Sequence, residues 1–207
     1  MTDLTFYTAP MSRGRIVRWM LEELAIPYDT VLVDLRVPAD IAKVRAVNAM
    51  AKVPTIVHQG RTVSETAAII TYLAETFPQA GLAPTADERA DYYRWMFFAA
   101  GPVEQAMVNQ ALGAQPPAER QVMVGYGTHE RMVETLERAV SARPYLTGDR
   151  FTAVDLYMAS QVGWGVQFGM LPQREAFAAY LGRTYERPAA VRARAIDDAL
   201  IAEAAQG

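Results

Sequence analysis

No cysteine occurs in this chain of 207 residues. That absence removes disulfides, thiolate metal sites and any cysteine nucleophile together. Histidine is nearly as scarce: His58 and His129 are the two present, and their separation argues against a histidine-rich metal centre, so no metal is expected. No stretch approaches the roughly 18 apolar residues that a spanning helix needs. The start, Met1 to Tyr7, lacks the basic segment and long apolar run of a secretory signal. A cytoplasmic protein without membrane contact is therefore expected. No block of like charge stands out either, and the net charge of −3 is mild. Neither a nucleic-acid footprint nor a polybasic membrane patch is present. What is plentiful is apolar surface, 51% of residues, enough for a packed globular protein of one large or two small domains.

The first third of the chain alternates strand and helix signals. Leu4 to Thr8 reads as a strand, and Ile16, Val17, Met20, Leu21 and Leu24 then recur at helical spacing until Pro27. A second strand lies within Tyr28–Leu35, a weaker helix over Ala39–Ala46, and a hairpin joins Thr55–Val57 to Arg61–Val63 across Gln59-Gly60. A helix over Ala67–Phe77 completes the order β-α-β-α-β-β-α. After Pro84 the strands vanish. Helical patterns run over Asp87–Leu112 with a kink near Gly101-Pro102, then from Pro116-Pro117 to about Ala142, and over Thr152–Phe168, Gln173–Leu181 and Pro188–Ala204. This predicts an α/β domain over 1–77, a linker over 78–84 and an all-α domain over 85–207. Thr152-Ala153-Val154-Asp155 reads as a capping box, worth about 1 kcal/mol to its helix.

Two features of Val53–Thr66 call for explanation. Pro54 heads a strand, where its missing N–H falls outside the ladder. A cis Val53-Pro54 bond would also turn the Val53 backbone sideways, so that an extended peptide can pair with it. Glu65-Thr66 opens a helix. A carboxylate there suits the helix dipole without any ligand. Together, though, the free N–H groups, the Thr66 hydroxyl and Glu65 match the carboxylate and ammonium at the zwitterionic end of a small peptide.

Phe6-Tyr7, Ser12-Arg13-Gly14-Arg15, Trp19 to Leu24, Lys52-Val53-Pro54, Ser64 to Ile69, Tyr72-Leu73 and Tyr145 to Asp155 together resemble the cytosolic glutathione transferases, over nearly the whole chain and in order. The chain is similar to serine-type or related bacterial-like members, without their cysteine variants. The resemblance implies a thioredoxin-like α/β N-terminal domain plus an all-α C-terminal domain, a homodimer, and glutathione as co-substrate. It departs from the family at Asn48-Ala49-Met50-Ala51, where a proline and a glycine are usual, and at Thr66, which replaces the commoner serine.

That family needs a hydroxyl or thiol donor aimed at the glutathione sulfur. Ser12, in the matching turn, is the candidate catalytic residue, with Tyr7 as its rival; an N-cap role for Ser12 is the plain alternative. Lowering a thiol pKa by about two units takes roughly 2.7 kcal/mol, about the size of one charge-assisted hydrogen bond plus a helix-dipole contribution. Lys52, Val53, Pro54, Glu65 and Thr66 are the implied glutathione contacts. Met11, Trp95, Phe98 and Trp164, with Pro102 and Phe168 as further candidates, would line an electrophile pocket between the domains. Glu104 is expected on a solvated helix face, and both histidines at the surface. The implied activity is attack of the glutathione thiolate on small hydrophobic electrophiles, in the service of detoxification. Isomerisation or peroxide reduction with the same sulfur is an alternative. So is a non-catalytic carrier of apolar ligands or a protein-interaction module.

Overall fold

The computed structural model describes residues 3–205; Met1 and Thr2, part of the start judged non-secretory, lie outside them. Packing divides the chain into two units, Met1–Gly81 with Arg187–Gly207, and Leu82–Glu186.

The first unit contains strands β1 (Leu4–Thr8), β2 (Asp29–Leu32), β3 (Thr55–His58) and β4 (Arg61–Ser64), with helices α1 (Gly14–Leu24), α2 (Pro38–Arg45), α3 (Thr66–Thr76) and, from far along the chain, α9 (Pro188–Ala204). The strands pair in the order β2-β1-β3-β4, with β1 and β2 parallel and the other two pairings antiparallel. The expected β-α-β-α-β-β-α order is what forms, as a thioredoxin-like α/β domain. Along β1 the buried Leu4, Phe6 and Thr8 alternate with the half-buried Thr5 and Tyr7, the period of a strand with one face on a core. The helical stripe of α1 buries Ile16, Val17, Met20, Leu21 and Leu24. That helix ends at Ala25, whose left-handed backbone (φ 52) lets its N–H reach the Leu21 carbonyl.

The helix α9 was expected in the all-α domain; it packs on α1 in the first unit instead. The reason is an ion pair hidden in the apolar stripe. Arg18 is 2% exposed and Asp197 1%, and Arg18 Nε donates to Asp197 Oδ1 at 2.7 Å. The Arg18 guanidinium also lies 5.3 Å from the Phe6 ring centroid, and its Nη1 donates to Tyr28 Oη at 3.3 Å. Burial pushes the Asp197 carboxyl above its usual value, with the Arg18 charge pulling the other way. Arg18 Nη2 and Asp197 Oδ2 find no partner among the described residues. Three outer pairs run along the same seam: Arg15 with Asp198 at 2.7 Å, Glu22 with Arg192 at 3.2 Å, and Glu23 with Arg187 through bonds of 2.6 and 2.7 Å.

The second unit is built of helices α4 (Arg89–Phe98), α5 (Glu104–Ala111), α6 (His129–Ala142), α7 (Ala153–Gln167) and α8 (Glu175–Tyr185). The kink expected near Gly101-Pro102 is a π-helical turn, Ala99–Val103, between α4 and α5. Pro102 has no N–H for the regular ladder, and the wider turn absorbs that gap. The helix expected from Pro116-Pro117 to Ala142 divides into a 3₁₀ segment, Ala118–Met123, and α6, which starts after Gly127 (φ 67) under a Thr128 cap. Gly163 keeps its place inside α7 because a Cβ there would lie 2.0 Å from the Tyr185 hydroxyl of α8.

The Thr152–Asp155 capping box is present, and its carboxylate does more than cap. Asp155 is 0% exposed. Its oxygens accept from Thr152 N and Oγ1 (both 3.0 Å), Leu146 N (2.8 Å) and Tyr180 Oη (3.0 Å). One carboxylate thus ties α7, α8 and the segment before them. Burial pushes its pKa upward against these bonds, and pushes the Tyr180 phenol upward as well. Three polar residues are less solvated than expected. His58 is buried, with Nδ1 2.8 Å from Tyr72 Oη; His129 opens α6, with Nε2 2.8 Å from the Met170 carbonyl; and Glu104 accepts from the buried Gln161 at 2.9 Å. Each was placed at the surface from its place in a hairpin or on a helix, whereas a partner brought from elsewhere in the fold makes burial tolerable.

Removing one member of a buried ion pair leaves the other charged and dry. Asp197→Ala is expected to cost about 3–5 kcal/mol of stability, read from urea unfolding. An Arg18→Met, Asp197→Leu double variant is expected to recover most of that loss; an unchanged urea midpoint in Asp197→Ala would show that the pair does not hold α9. A second expectation concerns pH. In the segment after β2, the Arg36 side chain and N–H both donate to Asp34, which holds its carboxyl down to about 2 from 3.8. The favourable contribution is present above the usual carboxylate value and is lost as pH falls through about 2. A carboxyl-carbon NMR titration should give that low midpoint in the wild type and an ordinary one in Arg36→Ala.

Candidate functional site

Strand register brings the predicted residues of the first unit together. Tyr7 lies opposite Thr55, and Thr55 opposite Ser64. One step beyond, Thr8, Pro54 and Glu65 fall at the same edge of the sheet, where the parallel β2 also ends, at Leu32. The turn after β1 leaves from this edge, and α1 and α3 both begin there. Met11, Ser12, Lys52, Val53, Pro54, Glu65 and Thr66 therefore share one end of the sheet, along with two helix N-termini whose N–H groups suit an anion.

The turn into α1 is tight. A Cβ on Gly14 would lie 1.9 Å from Thr8 Oγ1 and 3.0 Å from Ser12 Oγ, so the helix can start this close to β1 only with glycine. Ser12 is half-buried; its Oγ donates to the Ala9 carbonyl at 2.7 Å and accepts from Gly14 N at 3.0 Å. The hydroxyl thus clamps its own turn, and Arg13 takes the N-cap position of α1. Met11 beside it is 75% exposed. Tyr7 is half-buried within β1, paired with Val31 on one side and Thr55 on the other.

Val53-Pro54 is cis. The segment before it is held by Asn48, which sequence reasoning noticed only as a departure from the family's pattern. Asn48 Nδ2 donates to the Lys52 carbonyl (3.1 Å) and to Thr55 Oγ1 (3.0 Å), while its Oδ1 accepts from Met50 N (3.1 Å). Thr55 Oγ1 donates to the Lys52 carbonyl as well, at 2.9 Å. Ala51 takes φ 51, the conformation that the missing glycine would adopt freely. The Asn48 amide so ties the loop that leads into Pro54. The Lys52 side chain is exposed.

Glu65 has φ 67 and ψ 119, a region that residues other than glycine seldom occupy. Its side chain is exposed and forms no hydrogen bond or ion pair among the described residues, while Thr66, the first residue of α3, is 9% exposed. A strained backbone at about 1–3 kcal/mol persists where surrounding structure imposes it, and such residues concentrate at ligand sites. Nothing in the sequence signals this conformation.

The remaining pocket candidates belong to the second unit. Trp95 packs edge-on against Phe98 (5.5 Å between centroids), and Trp164 against Phe168 (6.0 Å). Pro102 is half-buried in the π turn. Trp95 borders a cavity lined by Arg94, Arg138 and Arg143 as well as apolar residues. Met11 lines a different cavity, of about 680 Å³ within the first unit, together with Leu32, Leu35, Leu200 and Ile201. Among the described residues no cluster of three or more metal-ligating side chains occurs, and no helix is long and apolar enough to cross a membrane.

Residues 6–81 match the family described as glutathione S-transferase, N-terminal domain. A probable glutathione S-transferase of rice, Oryza sativa subsp. japonica, is 29% identical over 159 residues, covering 72% of this chain and 66% of that protein, just under two thirds of its length. A glutathione transferase of Methylococcus capsulatus superposes with a TM-score of 0.78 at 24% identity, over 94% of this chain and 98% of that one. A theta class glutathione S-transferase of Xanthomonas axonopodis pv. citri, solved with glutathione bound, gives 0.70 at 27% identity, over 93% and 97%. A sphingomonad glutathione S-transferase, also complexed with glutathione, gives 0.75 at 24%, over 94% and 98%. Residues 6–81 thus match the N-terminal domain of the glutathione S-transferase family, and the chain as a whole is similar to glutathione transferases in sequence and in fold.

Proposed function

We propose that the first unit binds glutathione at the edge of its sheet and that the protein transfers the glutathione thiolate to small hydrophobic electrophiles. The observation that carries this reading is Glu65: an exposed carboxylate on a backbone that L-residues seldom adopt, beside Thr66 and the N-terminus of α3. An ammonium and a carboxylate on one ligand end answer those groups, and Val53, next to Pro54 at the same edge, offers backbone pairing to an extended tripeptide. Lys52 supplies positive charge for the second carboxylate. The relatives solved with glutathione bound support the ligand. Met11 lines a cavity whose walls are largely aliphatic, with Asp34, Arg36 and Asp40 at one side, and this gives an apolar electrophile a place next to the turn that carries Ser12.

Ser12 is the proposed donor to the thiolate. To act so, its O–H turns from the Ala9 carbonyl to the sulfur, exchanging one neutral hydrogen bond for a charge-assisted one. The same bond to Ala9 favours a second reading, in which glutathione is held but its thiol is not activated, as in a carrier or interaction module. A homodimer in the cytoplasm with a role in detoxification is part of the first reading.

Calorimetric titration tests the site. Wild-type protein is expected to bind glutathione, and Glu65→Ala to weaken binding tenfold or more, about 1.5–3 kcal/mol for a hydrogen bond to a charged group. No binding by the wild type at millimolar glutathione would overturn the reading. Ultraviolet thiolate absorbance of bound glutathione separates the two readings. The transferase reading expects absorbance at neutral pH that is lost in Ser12→Ala. Absorbance unchanged in that variant would reject Ser12 as donor and shift the role to Tyr7; none in the wild type would favour the carrier.

A further inference from the structure

The cavity that Met11 lines constrains what can reach the sulfur in the proposed transfer. Its volume of about 680 Å³ falls in the range that takes a whole drug-sized ligand. Three segments of the first unit wall it: the turn at 9–11, the segment 32–36 with Asp40, and the end of α9 from Leu200 onward. Among the described residues that line it, none is aromatic. Its two carboxylates are already answered from within the protein. Asp34 accepts from Arg36 Nε at 3.0 Å and Nη2 at 2.8 Å, and Asp40 from Lys43 at 2.6 Å and the Asp34 N–H at 3.0 Å. The cavity thus asks a ligand for apolar surface and for no charge.

The α9 wall is set in place before any ligand arrives. The pairs of Arg18 with Asp197 and Arg15 with Asp198, both at 2.7 Å, tie α9 to α1 just ahead of Leu200 and Ile201. Those two side chains are half-buried, and Leu32 and Leu35 are each 44% exposed, so aliphatic surface that the protein does not cover itself lines the cavity. At the other end stands Ala9, whose carbonyl accepts from Ser12 Oγ at 2.7 Å, so the cavity begins beside the proposed sulfur donor. An aromatic ring bound there finds no ring to stack on or to meet edge-on. A flexible alkyl chain meets methyl and methylene groups along its length, and each further methylene adds to the gain until the space is filled.

We propose that this cavity selects electrophiles carried at the end of an unbranched alkyl chain, with Leu35, Leu200 and Ile201 setting the preference for alkyl over aryl groups. The inference rests on the glutathione reading and narrows its substrate class. In the substitution it implies, a bond forms between the glutathione sulfur and the terminal carbon, the leaving group departs with its electron pair, and the thiol proton passes to solvent. The S-alkyl glutathione left behind is itself a probe of the cavity. Calorimetry on the full chain is expected to show affinity rising about threefold per methylene from S-methyl glutathione upward until the cavity is filled. S-octyl glutathione is expected to bind about fivefold tighter than S-(2-phenylethyl) glutathione, which adds the same number of carbons. Ile201→Phe should stop the rise at a shorter chain, and Leu200→Ala with Ile201→Ala should lower the ratio of S-octyl to glutathione affinity about tenfold. A residue that only supported the fold would move neither the stopping point nor the ratio. Affinity that stays flat along the series, or equal binding of the octyl and phenylethyl forms, would overturn the inference while leaving glutathione binding intact. 1-Octanol and 2-phenylethanol, titrated without glutathione, read the cavity alone. Octanol bound the tighter, and weakened by Ile201→Phe, in a protein that does not bind glutathione would overturn the glutathione reading and leave the alkyl preference standing; neither alcohol bound in such a protein would overturn both.

Discussion

Two opposite charges withdrawn from water, Arg18 and Asp197, constrain the first unit more than any apolar contact does. Each costs several kcal/mol to dehydrate, about as much as a whole domain's margin of stability. Their mutual attraction offsets that only while α9 lies against α1 in one register. An apolar seam would have tolerated sliding; a guanidinium fixed at 2.7 Å from its carboxylate does not. The three outer pairs extend the same constraint along both helices, but they are partly solvated and weaker. The position of α9 matters beyond stability because Leu200 and Ile201 form one wall of the cavity that Met11 lines.

The candidate site is a consequence of register. Antiparallel pairing of β3 with both β1 and β4 brings Pro54 level with Thr8 and Glu65 without any direct bond among them. Local devices then finish each corner: Gly14 allows the first turn to close, Asn48 holds the chain ahead of Pro54, and a strained backbone presents Glu65. The second unit solves a related problem differently. Its Asp155 gathers four hydrogen bonds at one buried carboxylate, which makes a single polar residue the joint of several elements.

Periodicity and punctuation made much of this legible. The β-α-β-α-β-β-α order, the Gln59-Gly60 hairpin and the capping box at Thr152 were all readable because local chemistry decides them. So were the places of Pro54, just before a strand, and of Glu65, just before a helix. What could not be read depends on partners distant in sequence. Arg18 looks like an ordinary interruption of an apolar stripe until Asp197 is placed beside it. His58 and Glu104 look like surface residues until Tyr72 and Gln161 arrive. The positive φ of Glu65 is invisible because it opposes the residue's own preference. Asn48 appeared only within a segment that departs from the family's pattern, since an amide's bonds to a loop leave no spacing to detect.

The return of α9 to the first unit has a consequence for the order of events during synthesis. Arg18 and Asp197 are 179 residues apart, so at about 5–20 residues per second the arginine leaves the ribosome roughly 10–35 s before its partner exists. The second unit, although later in the chain than most of the first, is complete before the first can be. Through that interval α1 carries an unmatched charge on a face that is otherwise apolar. A nascent first unit therefore keeps the Arg18 guanidinium in water, and gains the carboxylate that lets it be buried when the chain doubles back.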